Sequence, residues 1–433
     1  MSTVNDSGPV QSAAEAPASA PGAGCPFHGP SDLDGVLVID RERWAGGPPH
    51  ELFARLRTER PVHWSARVPE FEDEGGFWSV TRPEDVHAVS RDWRTYSSGY
   101  GITATSSVFP LELLQAMFIG MDPPKHDRLK MLFQAGFTPK RIAAHEEEIR
   151  AITRRVLDRL EGRDRCDLVT DVAQPAVSRV IGSFMGIPEE DDAIWATLMN
   201  ATLGAGDPDL NPDGIPSILD NELPEIFERC RRMIAARREQ PTDDLTSLLV
   251  HAEIDGERLE EHEIVMGFFL LVAAGNDSTK ATFCSGMQAL MEDREQLQLV
   301  LDDPALVPGV VEEALRMFPA FAHFRRTALA DTELAGQTIR KGEKVVLWYV
   351  ASNRDERLYE DPNRFDARRN PEHQAFGAGG RHFCLGTALA RLELRVMFEE
   401  TLARYPTIAT AGRTAYAESA FINQLKTLPV TLR

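Results

Sequence analysis

The sequence is poor in cysteine and contains no Cys-x-x-Cys pair. Its 433 residues include five widely separated cysteines: Cys25, Cys166, Cys230, Cys284 and Cys384. The absence of a close pair excludes zinc ribbons and thioredoxin-type redox motifs. An odd number of scattered cysteines also argues against a disulfide framework, so we expect a reducing, cytoplasmic location.

The chain also lacks an excess of positive charge. Lysine and arginine number 47 against 67 aspartates and glutamates, so the formal net charge is 47 − 67 = −20. Nucleic-acid binding depends on clustered basic residues that neutralise phosphates, and an anionic membrane surface repels a chain of this sign. We therefore expect no nucleic-acid partner. A local basic patch for an acidic redox protein stays compatible with the total charge.

No hydrophobic run is long enough to cross a membrane. The longest, residues 265–275, has roughly 11 residues where a transmembrane helix needs about 20. The N-terminal segment is rich in Ala, Pro, Ser and Gly and has no basic region followed by an apolar core, so it is not a signal peptide. We predict a disordered tail over residues 1–28 and a single folded domain, without a membrane anchor, over residues 29–433.

Helical patterns dominate the folded part. They cover residues 146–161, 223–239, 260–292 and 387–405. The third range is apolar on all sides at its centre, which is typical of a helix that passes through the protein interior. Short strand patterns cover residues 76–80, 332–339, 345–350 and 427–432. The sequence therefore predicts a mainly α fold with small peripheral β-sheets.

A glycine-rich string surrounds the last cysteine. Residues 376–386 read Phe-Gly-Ala-Gly-Gly-Arg-His-Phe-Cys-Leu-Gly, and a helix-forming run follows at once. Glycines let the backbone approach a flat cofactor, and a helix N-terminus stabilises an anionic sulfur at Cys384. A structural loop with a buried thiol is the simpler alternative. A nucleotide-binding loop is excluded, because neither the further glycine nor the Lys-Ser/Thr that phosphates require is present.

The string resembles the haem-binding loop of the cytochrome P-450 superfamily. Gly380, His382, Cys384 and Gly386 match the family spacing, whereas Phe376 is displaced by one residue, so this loop is one residue longer. A bacterial branch that acts on methyl-branched lipids and sterol side chains has a similar glycine-expanded loop. The resemblance covers nearly the whole chain. It implies the mainly α, triangular-prism fold, haem b (iron protoporphyrin IX) as cofactor, and Cys384 as the axial ligand of the haem iron.

A second family motif is a Glu-x-x-Arg pair. Glu313 and Arg316 match it, and at this spacing both side chains lie on one helix face. The resemblance implies a buried ion network with Arg369, in the segment before the cysteine loop. An exposed salt bridge is the alternative. In either case the pair has a structural role.

Polar residues interrupt the long apolar helix, whose centre reads Ala-Gly-Asn-Asp-Ser-Thr. A kink at which a hydroxyl bonds back to the helix backbone is the simpler interpretation. The resemblance implies instead that Ala274 and Gly275 border the haem and that an acid–alcohol pair relays protons there. Asp277 matches the acid. Ser278 occupies the usual threonine position, and Thr279 is the alternative alcohol.

Basic side chains match the family's ligands for the haem propionates. His126 and Lys130, four residues apart, match a helix whose usual arginine is here a lysine, and Arg326 and His382 match two further ligands. A solvated helix face is the alternative for the first pair. The complete set of predicted haem contacts is His126, Lys130, Ala274, Gly275, Arg326, Phe376, Gly377, His382, Cys384 and Gly386.

The resemblance implies a monooxygenase that hydroxylates an unactivated C–H bond with O₂ and two electrons. The chain has no flavin or iron–sulfur motif, so a separate ferredoxin or flavoprotein reductase would deliver the electrons, and Arg128, Lys130 and Arg381 are the expected docking residues. Aromatic-rich segments predict an apolar substrate, such as a terpenoid, a steroid or a branched lipid. The candidate substrate contacts are Phe109, Phe268, Phe321, Phe324 and Phe421.

Other functions are compatible with these residues. The same fold could serve as a tailoring enzyme for a macrolide or peptide natural product, because the haem-binding frame does not dictate the cavity loops. A haem-thiolate enzyme that is not a monooxygenase would keep Cys384 without needing Asp277. A haem sensor or carrier, and a haem-free thiol-redox protein, are more distant alternatives.

Overall fold

A computed structural model describes residues 32–68, 74–105, 110–203, 207–254 and 256–432. The tail predicted at residues 1–28 and the candidate contact Phe109 lie outside these ranges. Sixteen α-helices, α1 to α16 in chain order, are found within them: His50–Glu59, Pro83–Arg91, Leu111–Ala116, Lys125–Gln134, Pro139–Ala144, Glu146–Asp158, Gln174–Met185, Asp192–Leu203, Gly214–Ser217, Leu223–Glu239, Leu245–His251, Glu261–Glu292, Arg294–Asp302, Val307–Met317, Tyr349–Ser352 and Thr387–Arg404.

The strands are short and stand at the side of this helical body. In the described ranges there are fourteen, β1 to β14: Val62–Arg67, Gly75–Val80, Tyr96–Ser97, Arg165–Asp167, Glu253–Ile254, Glu257–Arg258, His323–Ala328, Thr332–Leu334, Gln337–Ile339, Lys344–Trp348, Ala409–Thr410, Ala415–Tyr416, Leu425–Thr427 and Pro429–Thr431. The predicted fold class, mainly α with small peripheral sheets, is confirmed.

The largest sheet has five strands in the order β1-β2-β10-β7-β3. Only β2 and β10 run parallel, with Val345 opposite Trp78, and the other pairs are antiparallel. On one face, Trp348 of β10 packs against Trp44 and Phe53, and the three rings form a cluster of stacked, tilted and edge-on pairs. The sheet thus buries aromatic side chains against the N-terminal part of the described chain.

The predicted helices agree closely with the observed ones, whereas three strand predictions need correction. Residues 332–339 form the hairpin β8–β9 and not one strand, because Ala335 and Gly336 turn the chain at φ values of +47° and +77°. Strand β10 ends at Trp348, where helix α15 begins. Residues 427–432 contain the end of β13 and all of β14. Helix α6 ends at Asp158, three residues before its predicted end.

Helix α12 is the longest element, and it passes through the interior. It begins with a capping box, in which the backbone N–H of Glu260 donates to Glu263 Oε2 at 2.9 Å. Near its other end, Gly286 allows α14 and α16 to pack closely. A Cβ at Gly286 would lie 2.8 Å from Phe398 Cζ and 3.0 Å from Ala314 Cβ. None of the helices in the described ranges combines the length and the hydropathy needed to cross a lipid bilayer.

The Glu-x-x-Arg pair lies in α14 and is completely buried. Arg316 donates from Nε to Glu313 Oε2 and from one terminal nitrogen to Oε1, both at 2.7 Å. Its other terminal nitrogen donates to the carbonyl oxygens of Asn353 and Pro362, both at 2.9 Å. Arg369 completes the network, with Nε 3.0 Å from Glu313 Oε1. The predicted buried network is therefore confirmed, and it fixes the irregular segment that leads into the cysteine loop.

Candidate active site

A cavity of about 210 Å³ lies between α12 and the loop that carries Cys384. Side chains from distant parts of the sequence meet on its wall. The residues predicted from the sequence that line it are His126, Lys130, Ala274, Gly275, Ser278, Thr279, Arg326, Phe376, Gly377, His382, Cys384 and Gly386. The structure therefore brings every predicted haem contact, and both candidate alcohols, to one cavity.

The cysteine loop is fixed by its own backbone and by α2. The N–H of Cys384 donates to the carbonyl oxygen of Phe376 at 2.9 Å. Ser90 Oγ donates to the carbonyl oxygen of Gly379, also at 2.9 Å. Gly380 has φ +80°, and a Cβ there would lie 2.6 Å from the Ser90 carbonyl oxygen, so only glycine fits this close approach. These contacts hold the sulfur of Cys384 at the cavity just before α16 begins.

The electrostatics of the Cys384 thiol reflect opposing effects. Burial raises its pKa above the usual value, because an anionic sulfur is poorly solvated there. A hydrogen bond from the Gly386 backbone N–H and the positive charges of Lys130 and Arg391 lower the pKa and oppose that shift. The net direction is a raised pKa, so a thiolate at this site would depend on a bound metal ion, since coordination deprotonates a thiol outright.

Four basic groups face the cavity, and one of them, His126, has an acidic partner, because its Nδ1 lies 3.0 Å from Asp127 Oδ1. Arg326 is buried, donates to the carbonyl oxygen of Arg325 at 2.8 Å, and forms no ion pair with any described residue. His382 lies with its ring 4.3 Å from that of His126, and its Nε2 has no hydrogen-bond partner in the described chain. Burial and nearby Arg326 hold the pKa of His382 well below its usual value. Lys130 Nζ donates to the carbonyl oxygens of Arg381 and Phe383.

This arrangement fits a haem. The Arg326 guanidinium, which has no ion-pair partner among the described residues, and the unsatisfied Nε2 of His382 suit the propionates of that cofactor, because a buried cation needs a compensating anion. Phe376 and Leu389 supply an apolar surface on the side of Cys384. The displaced phenylalanine of the loop thus still lines the cavity, despite the extra residue.

The face of α12 that lines the cavity contains Ala274, Gly275, Ser278 and Thr279 but not Asp277. Ser278 Oγ donates to the carbonyl oxygen of Ala274 at 2.7 Å. The predicted position of Asp277 over the haem is therefore corrected, because its side chain lies on the flank of the helix.

Asp277 belongs instead to a buried polar cluster. Lys280 Nζ donates to Asp277 Oδ1 at 2.7 Å, to Gln174 Oε1 at 2.7 Å and to Asn200 Oδ1 at 2.9 Å. Asn276 Nδ2 donates to the same Asp277 oxygen at 3.1 Å, whereas Oδ2 has no partner in the described residues. The cluster joins α12 to α7 and α8 behind the cavity. Lys280 was not among the residues predicted from the sequence, although a lysine within an apolar helix is itself a sign of a buried partner.

Glu393 is a second cavity residue that sequence reasoning missed. It lies in α16, lines the cavity and has an Oε1 with no partner among the described residues. Burial raises the pKa of this carboxyl to about 8, and a hydrogen bond with the side chain of Thr279 opposes the shift. Leu392 and Leu394 flank it, so an acid in an apolar part of a helix was the available signal.

The raised pKa of Glu393 predicts a pH-dependent stability. Between about pH 4.5 and about pH 8 the folded protein keeps this proton and the unfolded chain has lost it, so stability falls as pH rises through that window. We expect Glu393→Gln to remove this pH-dependent loss of unfolding free energy, which is on the order of a few kcal/mol. Denaturant unfolding of the haem-loaded protein from pH 5 to pH 9 measures it, with Glu372→Gln, at an exposed acid, as the control. If the unfolding free energy of Glu393→Gln changed with pH in the same way as that of the parent, the prediction would be contradicted.

A larger cavity of about 500 Å³ adjoins the first. Residues on both walls, and therefore at the junction, are Ile119, Leu270, Ala274, Phe321 and Phe324. Phe421 lines the larger cavity, and its ring centroid lies 5.2 Å from that of Phe321. Phe268 lines neither, since it packs in the core against Trp195 at 5.6 Å. The prediction for Phe268 is thus corrected, and its neighbour Phe269 lines the larger cavity instead.

Comparisons with known proteins agree with this geometry. A family model described as cytochrome P450 matches residues 215–414. The methyl-branched lipid omega-hydroxylase of Mycobacterium tuberculosis is 38% identical over 386 residues, which are 88% of this chain and 90% of that protein. The steroid C26-monooxygenase of the same organism is 35% identical over 391 residues, 88% of this chain and 94% of that protein.

The solved structures show the same likeness. A cytochrome P450 of Mycobacterium marinum in complex with pseudoionone superposes with a TM-score of 0.85 at 37% identity, covering 91% of this chain and 98% of that one. Proteins of this fold are haem-thiolate enzymes that use protoporphyrin IX haem. Because its relatives match along nearly their whole length, and because the cysteine loop and the basic groups fit that cofactor, the chain belongs to the cytochrome P450 family of monooxygenases.

Proposed function

We propose that this monooxygenase hydroxylates an unactivated C–H bond of an apolar small molecule, namely a terpenoid, a steroid or a branched lipid. The observation that carries the proposal is the apolar cavity that leads from the surface to the Cys384 site through Leu270, Ala274 and Phe324. Similarity to a methyl-branched lipid omega-hydroxylase and to a steroid C26-monooxygenase supports the same substrate class. We also propose that residues 29–433 form one domain.

In this proposal the chain binds and orients the cofactor. Cys384 would supply the sulfur ligand of the haem iron, and His126, Lys130, Arg326 and His382, which line the same cavity, would bind the propionates. The bound haem supplies the activation of O₂, which the electron-donating thiolate favours. Ala274 and Gly275 line the same cavity, and their small side chains would leave room for the cofactor beside the helix.

Proton delivery is assigned to the polar cluster behind α12. Asp277 Oδ2, which accepts no hydrogen bond within the described residues, is the free proton acceptor of the cluster. Lys280 is a positioning residue, because it holds the other carboxylate oxygen. Ser278 and Thr279 are next to this acid and line the cavity, so one of the two hydroxyls passes the proton on.

Electrons come from a separate ferredoxin or flavoprotein reductase. Two of the three expected docking residues carry acidic partners of their own, since Arg128 pairs with Glu257 and Glu263, and Arg381 pairs with Asp127. Lys130 lines the haem cavity and also donates to two carbonyl oxygens of the cysteine loop, so we assign it to the propionates and not to docking. We propose that the donor binds the face of the loop that carries Arg381, where an acidic partner can exchange with Asp127.

Asp277→Asn tests the reductase-driven mechanism. With a surrogate ferredoxin and its reductase, we expect oxidised product from a lipid, steroid or terpenoid panel to form about 10²-fold more slowly in the variant, because proton delivery slows. The substrate-induced spin shift should stay unchanged, since Asp277 does not line either cavity. Asp302→Asn, at an exposed acid on α13, is the matched control. Normal coupled turnover by Asp277→Asn would contradict the mechanism, and absence of product from the whole panel in the parent would overturn the proposed function.

A further inference from the structure

The polar end of the larger cavity carries more negative than positive charge. Four ionisable side chains on this end of the wall are Asp40, Arg41, Glu42 and Glu418. Arg41 Nε donates to Glu418 Oε2 at 2.8 Å, and both side chains are a little over one-third exposed, at 39% and 38%. The guanidinium is therefore already compensated, and Glu42 forms no ion pair with any described residue. We refer to these four residues as the mouth.

Two further cations among the described residues near the mouth, Arg43 and Lys426, already have acidic partners. Arg43 pairs with Asp40 at 3.9 Å. Lys426 pairs with Asp207 at 3.1 Å and with Asp209 at 2.5 Å, and Asp207 also accepts the backbone N–H of Glu418 at 3.0 Å. Each of these cations thus has at least one carboxylate partner.

The other basic side chain on the cavity wall is uncharged. Burial lowers the pKa of His323 to about 3, so the ring is neutral near pH 7. Both of its nitrogens are used, because Nδ1 donates to the carbonyl oxygen of Ala420 at 2.8 Å and Nε2 accepts the backbone N–H of Ala104 at 3.0 Å. Arg41 is therefore the only cation among the described residues of this wall.

A neutral hydrogen-bonding group stands next to the mouth. Ser419 Oγ accepts the backbone N–H groups of Phe421 and Ile422, both at 3.2 Å. Its own proton has no acceptor within the described part of the chain. Because Ser419 lines the cavity, this O–H can donate to a hydroxyl or ketone oxygen of a bound molecule.

We propose that the mouth selects substrates whose polar end is uncharged, such as alcohols and ketones, over carboxylates with the same carbon skeleton. A carboxylate end would have to displace Glu418 from Arg41 and would meet Asp40 and Glu42 as well, so like charges oppose its entry. An alcohol avoids this repulsion and keeps the hydrogen bond from Ser419. The inference rests on the proposed function, since it takes this cavity as the substrate site.

Matched ligand pairs test the selection. We expect the haem-loaded protein, titrated at neutral pH and low salt, to bind farnesol at least about tenfold more tightly than farnesoate, and hexadecanol more tightly than hexadecanoate. The spin-state change of the haem and equilibrium dialysis give the two dissociation constants. High salt should bring the dissociation constants of the alcohol and the carboxylate of each pair closer together, because the mouth is exposed to solvent.

The double variant Glu42→Gln/Glu418→Gln frees Arg41. We expect carboxylate binding to strengthen about tenfold while alcohol binding stays unchanged. The matched control, Glu147→Gln/Glu190→Gln, changes the net charge equally at exposed sites away from the cavity. It should leave the ratio of the carboxylate and alcohol dissociation constants as in the parent. Equal or tighter binding of the carboxylates by the parent would overturn the selection. Failure of the parent to bind either member of both pairs, together with failure to bind any member of the lipid, steroid and terpenoid panel, would overturn the proposed substrate class itself.

Discussion

Replacing Cys384 with serine is expected to abolish C–H hydroxylation while the fold stays intact. Serine differs from cysteine by one atom, and the bond from the residue 384 N–H to the carbonyl oxygen of Phe376 does not involve the side chain. In the parent, the thiol bound to the metal ion is deprotonated and its sulfur donates electrons strongly. In Cys384→Ser the hydroxyl stays protonated, so this electron donation is lost. We expect no detectable oxidised product from substrates that the parent converts.

The spectrum of the same variant provides an independent measurement. The reduced, CO-bound parent should show the red-shifted Soret band that thiolate ligation causes, and Cys384→Ser should lack it. Cys166→Ser, at a buried cysteine in β4 away from the cavity, is the matched control and should keep the band. A red-shifted band in folded Cys384→Ser would show that another group is the axial ligand.

Arg316→Met is expected to destabilise the protein by roughly 3–5 kcal/mol, because it leaves a buried carboxylate poorly compensated. Arg316 and Glu313 are both 0% exposed. The substitution removes two hydrogen bonds to Glu313 and two to the carbonyl oxygens of Asn353 and Pro362. Among the described residues, Arg369 would then be the remaining ion-pair partner of Glu313. Guanidinium unfolding of the haem-loaded protein, followed by circular dichroism, measures the change.

A partly exposed arginine supplies the comparison for Arg316. Arg395 is 30% exposed and pairs with Glu146 and Glu399 on the protein surface. We expect Arg395→Met to change the unfolding free energy by at most about 1 kcal/mol, because water and salt weaken exposed ion pairs. Equal decreases in the unfolding free energy for Arg316→Met and Arg395→Met would contradict the role of the buried network in stability.

Much of the fold and of the haem-binding wall follows from the sequence, because long periodic patterns and a dense motif are strong local signals. The buried helix was predicted at 260–292 and is observed at Glu261–Glu292. The hairpin at 332–339 was not predicted, because Ala335 takes a positive φ that the sequence Leu-Ala-Gly signals only weakly.

Which face of α12 meets the cavity could not be predicted. A helix that is apolar on all sides carries no periodicity to set its rotation, and neighbouring residues differ by about 100° around the axis. For this reason Phe269, and not Phe268, lines the larger cavity, and Ser278 faces the smaller one while Asp277 turns to Lys280. Tertiary packing against α7 and α8 decides both outcomes.

Strands β2 and β10 join parts of the chain that are made at very different times. Trp78 Nε1 donates to Glu343 Oε2 at 2.7 Å across 265 residues of sequence. During synthesis on the ribosome the five-stranded sheet therefore stays incomplete until β10 has emerged, whereas the helices between β2 and β10 can form earlier from local contacts. Cys384 emerges later still. Capture of the haem is thus a late step of biosynthesis. Until then the apolar interior of the nearly finished chain is still open, and chaperones must protect it.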